Sequence, residues 1–183
     1  MHLLIVSGRS GAGKSSALGA LEDLDFYCID NLPVALLKET VTTLSTVSPG
    51  RNLAVSIDIR TLGHPADVPA LVNALTDHVG RLDVVFIDAI DESLARRFSE
   101  TRRLHPLSTG IERTHLSDAL KRESERLEPI QQIATYKIDS SGLSIHTLRS
   151  QIRELVAGDK ATQLILKLQS FGFKRGVPMD SDT

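Results

Sequence analysis

Short apolar runs alternate along the chain with stretches in which apolar residues recur every three or four positions. That rhythm predicts buried strands alternating with amphipathic helices. Leu3-Leu4-Ile5-Val6 is a strand run that stops at Ser7-Gly8, and a helix follows from Lys14 to about Leu24 on a stripe of Leu18, Leu21 and Leu24. Residues 26–29 predict a second strand ending at Asp30-Asn31-Leu32-Pro33. Val34, Leu37, Val41 and Leu44 then predict a helix to about Thr46. Residues 53–58 give a third strand, followed by a helix carrying Val68, Leu71, Leu75 and Val79. Residues 83–88 are the clearest strand, with Asp91 expected to cap a helix running to about Arg103. Leu116, Leu120 and Leu127 mark a helix closed by Pro129. Residues 134–139 predict a last strand, although Lys137 stands where a buried strand would be apolar. Ser144 caps a final helix bearing Ile145, Leu148, Ile152 and Leu155, which Gly158 ends.

Strands and helices in strict alternation predict an α/β fold: a mostly parallel sheet flanked by helices. At 183 residues the chain suits one ordinary domain with a short appendage. The pattern places that domain at residues 1–157. Beyond it the character changes to a short apolar cluster (Leu164, Ile165, Leu166, Leu168) and an aromatic- and glycine-bearing stretch, so residues 158–183 read as a linker and the start of a further, truncated C-terminal domain. Composition narrows the function classes. With 21 Lys+Arg against 23 Asp+Glu, binding to a polyanion must rest on a local patch. Aromatics at 4% weigh against a surface that stacks several bases. One cysteine excludes a disulfide scaffold. No apolar run approaches a membrane span and no secretory leader pattern opens the chain, so a cytoplasmic protein is expected.

The first strand–helix junction carries the strongest chemistry. Gly8-Arg9-Ser10-Gly11-Ala12-Gly13-Lys14-Ser15 fits the P-loop pattern G-x-x-x-x-G-K-[ST]. Glycines let the backbone curl with its N–H groups inward around a phosphate, and the following helix turns its positive end to the same anion. Lys14 would bridge β- and γ-phosphates, and the Ser15 hydroxyl would ligate Mg²⁺. A dinucleotide fingerprint fits poorly, because no G-x-G-x-x-G is present.

A P-loop site also needs an acid at a nearby strand end. Asp58 and Asp88 both follow apolar runs. Asp58 is favoured, since Arg60 beside it could reach a phosphate from the same strand end; either acid could instead be a helix cap. Asp30, at the end of the second strand, could orient an acceptor hydroxyl or simply form a turn with Asn31. Residues 94–122 hold seven Lys/Arg against three acids, a local positive patch on a near-neutral chain. Arg102 and Arg103 stand at a helix end entering a loop, as in a lid that closes on phosphates, and Arg forks suit phosphate oxygens. Lys121 and Arg122 are read as solvent-facing. His105 is the one histidine singled out for testing.

Taken with Leu21-Glu22-Asp23, the run Phe26-Tyr27-Cys28-Ile29-Asp30-Asn31-Leu32-Pro33, Thr101-Arg102-Arg103-Leu104-His105-Pro106-Leu107 and Ser170-Phe171-Gly172-Phe173-Lys174-Arg175-Gly176-Val177-Pro178, this P-loop resembles the RapZ/YvcJ-type nucleotide-binding proteins of bacteria over essentially the whole chain. The resemblance implies a kinase-like P-loop domain that binds ATP and GTP and hydrolyses them weakly with Mg²⁺. It implies that residues Gly8 through Ser15 form the ATP-binding loop. It further implies that Asp58-Ile59-Arg60-Thr61 matches a second nucleotide segment, Asp-x-Arg-Asn, with Thr61 in place of the usual Asn. Some members act as ribonuclease adapters that bind a small regulatory RNA, contacts in which a C-terminal domain is implicated, and homo-oligomers are compatible with the resemblance.

Three functions therefore compete. The first is a regulatory P-loop protein binding ATP or GTP with Mg²⁺ and hydrolysing it slowly. The second is a small-molecule kinase whose acceptor sits near Asp30 under an Arg102/Arg103 lid. The third is a nucleic-acid adapter, which low aromatic content and near-zero net charge weigh against for this chain alone.

Overall fold

In the computed structural model, residues 1–108 and 115–157 are described. Five parallel strands, β1 (His2–Gly8), β2 (Tyr27–Ile29), β3 (Leu53–Ile57), β4 (Arg81–Asp88) and β5 (Tyr136–Asp139), lie in the order β2-β3-β1-β4-β5. Six helices connect or follow them: α1 (Lys14–Glu22), α2 (Leu37–Val47), α3 (Val68–Thr76), α4 (Asp91–Thr101), α5 (Leu116–Gln132) and α6 (Ile145–Ala157). Parallel neighbours need a crossover, and helices supply it on both faces of the sheet.

Period-two alternation in the strands divides the core. Leu3, Ile5, Val55 and Val84 face one layer with α2, α3 and the C-terminal half of α5. Leu4, Val6, Val85 and Ile87 face the other, where Ala17, Leu18 and Leu21 of α1 meet Leu148 and Ile152 of α6. β1 is central, with β3 on one side and β4 on the other. The chain leaves β1 for β2 on one side and later crosses from β3 to β4 past it. The carboxyl end of β1 therefore lies where the strand order reverses, the place open α/β sheets form ligand crevices.

Several boundaries differ from the sequence reading for identifiable reasons. β1 continues through Ser7 and Gly8, because both pair with β4 at Phe86 and Ile87. Asp91 is not the cap of α4: Ile90 holds that position, and Asp91 is the first helical residue with its carboxylate turned to Arg9. α4 stops at Thr101, since Arg102 adopts a left-handed backbone, φ 51°. Pro129 does not close α5, which runs on to Gln132. A helical proline costs about 3 kcal/mol. Leu127 and Ile130, both buried on either side of it, each contribute about 1.5–3 kcal/mol and carry the stripe through. Lys137 is explained by the sheet order: β5 is an edge strand, and Lys137 is exposed on it. The Ser144 cap is as expected, its hydroxyl accepting the Thr147 N–H at 3.1 Å. The boundary expected at Gly158, and everything assigned to residues 158–183, lies outside the described residues, as does the Thr109-Gly110 part of the loop after His105. Among the described residues no helix is long and apolar enough to cross a membrane.

Candidate functional site

The glycine-rich loop leaves the end of β1 and enters α1, so the fold places it at the strand-order reversal. Gly8 is required there by close approach: at φ +138°, a Cβ would meet the Ile87 carbonyl oxygen at 1.9 Å, so only glycine lets β1 end against β4. Gly13 takes the left-handed conformation, φ 115°, that turns the chain into α1. As the N-cap residue it makes no side-chain hydrogen bond. The first turn of α1 thus opens without a side-chain acceptor, and its donors and dipole face the cleft.

Three clamps hold this loop from outside. Arg9 turns away from the cleft: its guanidinium donates to Asp88 at 2.6 Å, to Asp91 at 2.5 Å and to the Ala89 carbonyl. Ser10 donates its N–H to both Glu123 oxygens at 3.0 Å and its hydroxyl to Glu123 at 2.7 Å. The Gly11 carbonyl accepts from Arg97 at 2.9 Å, and the Ala12 carbonyl from the Ser140 hydroxyl at 2.7 Å. Arg97 also donates to both the hydroxyl and the carbonyl of Ser140, joining α4, the loop and the turn after β5.

Inside the loop, Lys14 is buried and its ammonium donates to the Gly8 carbonyl at 2.8 Å and the Arg9 carbonyl at 3.2 Å. Burial lowers its pKa, opposed chiefly by Glu123 and then by Asp58 and Asp30. Ser15 faces Asp30, hydroxyl to carboxylate at 3.4 Å, and Asp30 also accepts from the Ser56 hydroxyl.

The two candidate acids part company here. Asp58 lines the cleft, whereas Asp88 is spent on Arg9 and the Ala89 N–H. Yet Asp58 is also engaged: Arg60 donates to it from its backbone N–H and from two guanidinium nitrogens, at 2.9, 2.9 and 2.5 Å. That hydrogen bond raises the Arg60 pKa. Arg60 reaches Asn31 as well, at 2.5 Å, and Thr61 ties back to the Asp58 backbone, its hydroxyl accepting the Asp58 N–H at 3.2 Å. Ile59 is buried in the core and presents no side chain to the cleft.

The resulting cleft is about 640 Å³. Its lining combines polar side chains, among them Lys14, Ser15, Asp30, Asn31, Asp58 and Arg60, with apolar ones, Phe98, Leu104, Leu143, Ile145 and Leu148. Of the arginine pair, Arg103 lines the cleft and Arg102 does not. Elsewhere in the basic patch, Arg97 clamps the loop while also lining the cleft, and Arg96 lies 4.0 Å from Glu100. Lys121 and Arg122 are exposed as expected.

Sequence reasoning passed over Ser140 and Glu123, and counted Arg97 only as one member of the basic patch. A signal for Glu123 was present: it stands on the buried face of α5 with Leu120, Leu127 and Ile130, where a charge demands partners. His105, singled out in the sequence, is fully buried and bonds Glu123 at 2.9 Å rather than facing the cleft.

The fold is shared with P-loop kinases. A shikimate kinase from Bacteroides thetaiotaomicron superposes with a TM-score of 0.56 at 19% identity, over 84% of this chain and 97% of that one. A gluconokinase from Sinorhizobium meliloti gives 0.53 at 18% identity, over 82% and 89%. In sequence, a protein of Hahella chejuensis named nucleotide-binding protein is 48% identical over all of this chain and 64% of its own length. A protein of the same name from Marinobacter nauticus is 47% identical over 63% of its length. The chain thus spans just under two thirds of the relatives it matches. The model of the RapZ-like N-terminal domain matches residues 1–160. Identity of nearly one residue in two and a family match over residues 1–160 agree with the motif resemblance, and the chain belongs to the RapZ-like N-terminal domain family.

Proposed function

We propose that this domain binds a nucleoside triphosphate with Mg²⁺, ATP or GTP, and hydrolyses it weakly in a regulatory rather than metabolic role. The observation that carries the reading is the clamped loop from Gly8 to Ser15, with Lys14 inside it, opening on a cleft lined by both polar and apolar side chains. A triphosphate suits the polar side chains and a base the apolar ones. Lys14 leaves the Gly8 and Arg9 carbonyls to hold β- and γ-phosphate oxygens, Arg103 adds a cation at the cleft wall, and the first turn of α1 faces the same charge.

The residues present suit Mg²⁺. Mg²⁺ favours hard oxygen donors and takes one or two protein ligands beside phosphate and water. The Ser15 hydroxyl and Asp30 carboxylate, 3.4 Å apart, are such a pair. Among the described residues no cluster of three His, Cys, Asp or Glu side chains forms a stand-alone metal site, which accords with a metal that arrives with the nucleotide. Asp58 remains a second candidate, once Arg60 turns from it to a phosphate. Bound Mg²⁺ would neutralise phosphate charge as it develops.

Calorimetric titration with ATP and with GTP, with and without Mg²⁺, tests the reading. Lys14→Ala should weaken binding about a hundredfold, the scale of losing charge-assisted contacts to phosphate. Unchanged affinity would refute it. A kinase remains the second reading, favoured by the kinase-like fold and by Asp30 at the cleft. γ-labelled ATP incubated with candidate sugars and nucleosides decides: label on an acceptor supports it, free phosphate alone supports slow hydrolysis. Any role with a small RNA or ribonuclease is proposed only for the longer protein, and a cytoplasmic location goes with these roles.

A further inference from the structure

His105 and Glu123 are the two buried titratable groups behind the phosphate loop that nucleotide chemistry leaves unused. Both side chains are wholly removed from solvent. Their hydrogen bonds define their charge states. The Leu107 N–H donates to His105 Nδ1 at 3.1 Å, so the ring proton sits on Nε2, which faces Glu123 Oε2 at 2.9 Å. Glu123 receives the Ser10 N–H and hydroxyl on its other side. Every neighbour donates to this carboxylate and none accepts from it, so Glu123 carries a charge and no proton. Burial would push its pKa up, but the bonds from His105 and Ser10 and the charge of Lys14 bring it below the ordinary glutamate value.

Lys14 faces Glu123 from α5, Asp58 and Arg60 from the end of β3, and Asp30 from the end of β2. Glu123 is the strongest of these charges. It is also the one that cannot follow a ligand, because it is fully buried and held by four bonds. His105 in turn belongs to the segment after α4 that brings Arg103 and Leu104 to the cleft, and its ring packs on Phe98 at 5.3 Å.

We propose that Glu123 and His105 are positioning residues of the nucleotide site. Glu123 pins Ser10 of the phosphate loop and stands as fixed counter-charge to Lys14. His105 fastens the same carboxylate to the segment that presents Arg103. Neither touches the nucleotide. The inference rests on the nucleotide-binding reading above, and it links cradle and arginine segment through one buried pair.

The test uses the whole chain and Mg·ATP as probe, with melting curves for each variant. Glu123→Gln keeps the shape and removes the charge. Ser10 then keeps one acceptor oxygen instead of two, and the loop loses its fixed negative charge. Binding should weaken about tenfold, the scale of a lost hydrogen bond to a charged group. His105→Gln retains a donor toward Glu123, whereas His105→Phe retains ring volume and the Phe98 contact. The expected order of affinity is wild type, then His105→Gln, then His105→Phe. A merely structural role predicts the reverse for the two variants. If Glu123→Gln does not fold, Ser10→Ala gives the same comparison with one donor removed, and about threefold weaker binding is expected. Wild type that fails to bind Mg·ATP or Mg·GTP refutes the nucleotide reading itself. Wild type that binds, with Glu123→Gln (or Ser10→Ala) equal to it or His105→Phe equal to it, overturns this inference alone.

Discussion

At the residue scale, single atoms decide what the loop permits. A methyl on Gly8 would fall 1.9 Å from a backbone oxygen of β4, which neither rotamer change nor a small shift relieves. Gly8→Ala should therefore destabilise the fold by more than about 3 kcal/mol, a mechanism among the few that give large effects. A fall in melting temperature of roughly 10 °C or more is expected for a domain of this size, and an unchanged melt would contradict the close approach. The acids make a sharper pair. Asp30 meets the Ser15 hydroxyl and keeps a side open to the cleft, while Asp58 is tied to Arg60. Asp30→Asn should raise the Mg²⁺ needed for half-maximal nucleotide binding about tenfold, with stability little changed. Asp58→Asn should instead lower stability by about 1–2 kcal/mol through lost charged hydrogen bonds. Melting curves and Mg²⁺ titrations read both, and the opposite assignment would return the metal to Asp58.

At the scale of elements, the helices do more than cover the sheet. α4 contributes Arg97 to the Gly11 carbonyl, α5 contributes Glu123 to Ser10, and the end of β4 with the start of α4 holds Arg9. Each clamp joins the loop to a chain segment more than 75 residues away, so the cradle is rigid only when the whole sheet and its helices are assembled. The exposed edge obeys a different rule. Among the described residues β5 has an unpaired side, and Lys137 on it is a charge that discourages pairing with another chain. Lys137→Val should leave the melting temperature within about 2 °C, since surface changes stay near ±0.5 kcal/mol, but increase light scattering on storage at high concentration. No rise in scattering would show that this edge needs no such protection.

For the whole molecule, pairing holds several of the arginines. Arg9, Arg60, Arg81 and Arg153 meet acids, and Arg97 meets backbone oxygens. Lys121 and Arg122 stay exposed, but the chain carries a formal net charge of −2 and only 4% aromatics. It should therefore shift structured RNA only weakly in gels, and without the steep loss on raising salt from 50 to 200 mM that several phosphate contacts would produce. Tight, strongly salt-sensitive binding would revive the adapter reading for this domain.

The amino-acid sequence by itself determined the alternation of strands and helices, the phosphate loop and its place after β1, and the family. These are local signals: apolar period, glycine spacing, a lysine–serine pair, and runs of contiguous residues. It also carried the polar strand ends, favouring Asp58 over Asp88 for the metal and giving Asp30 to an acceptor or a turn. Only the tertiary structure separated them, because it gave Asp88 to Arg9, Asp58 to Arg60 and Asp30 to Ser15. It likewise gave Arg97 to the loop as a clamp, set Arg103 but not Arg102 at the cleft, and carried α5 through Pro129. The role of Glu123 emerged only there, since a glutamate on a buried stripe announces that it has partners without naming them. Partners lying 18 and 113 residues away are set by how layers pack, which no local pattern encodes.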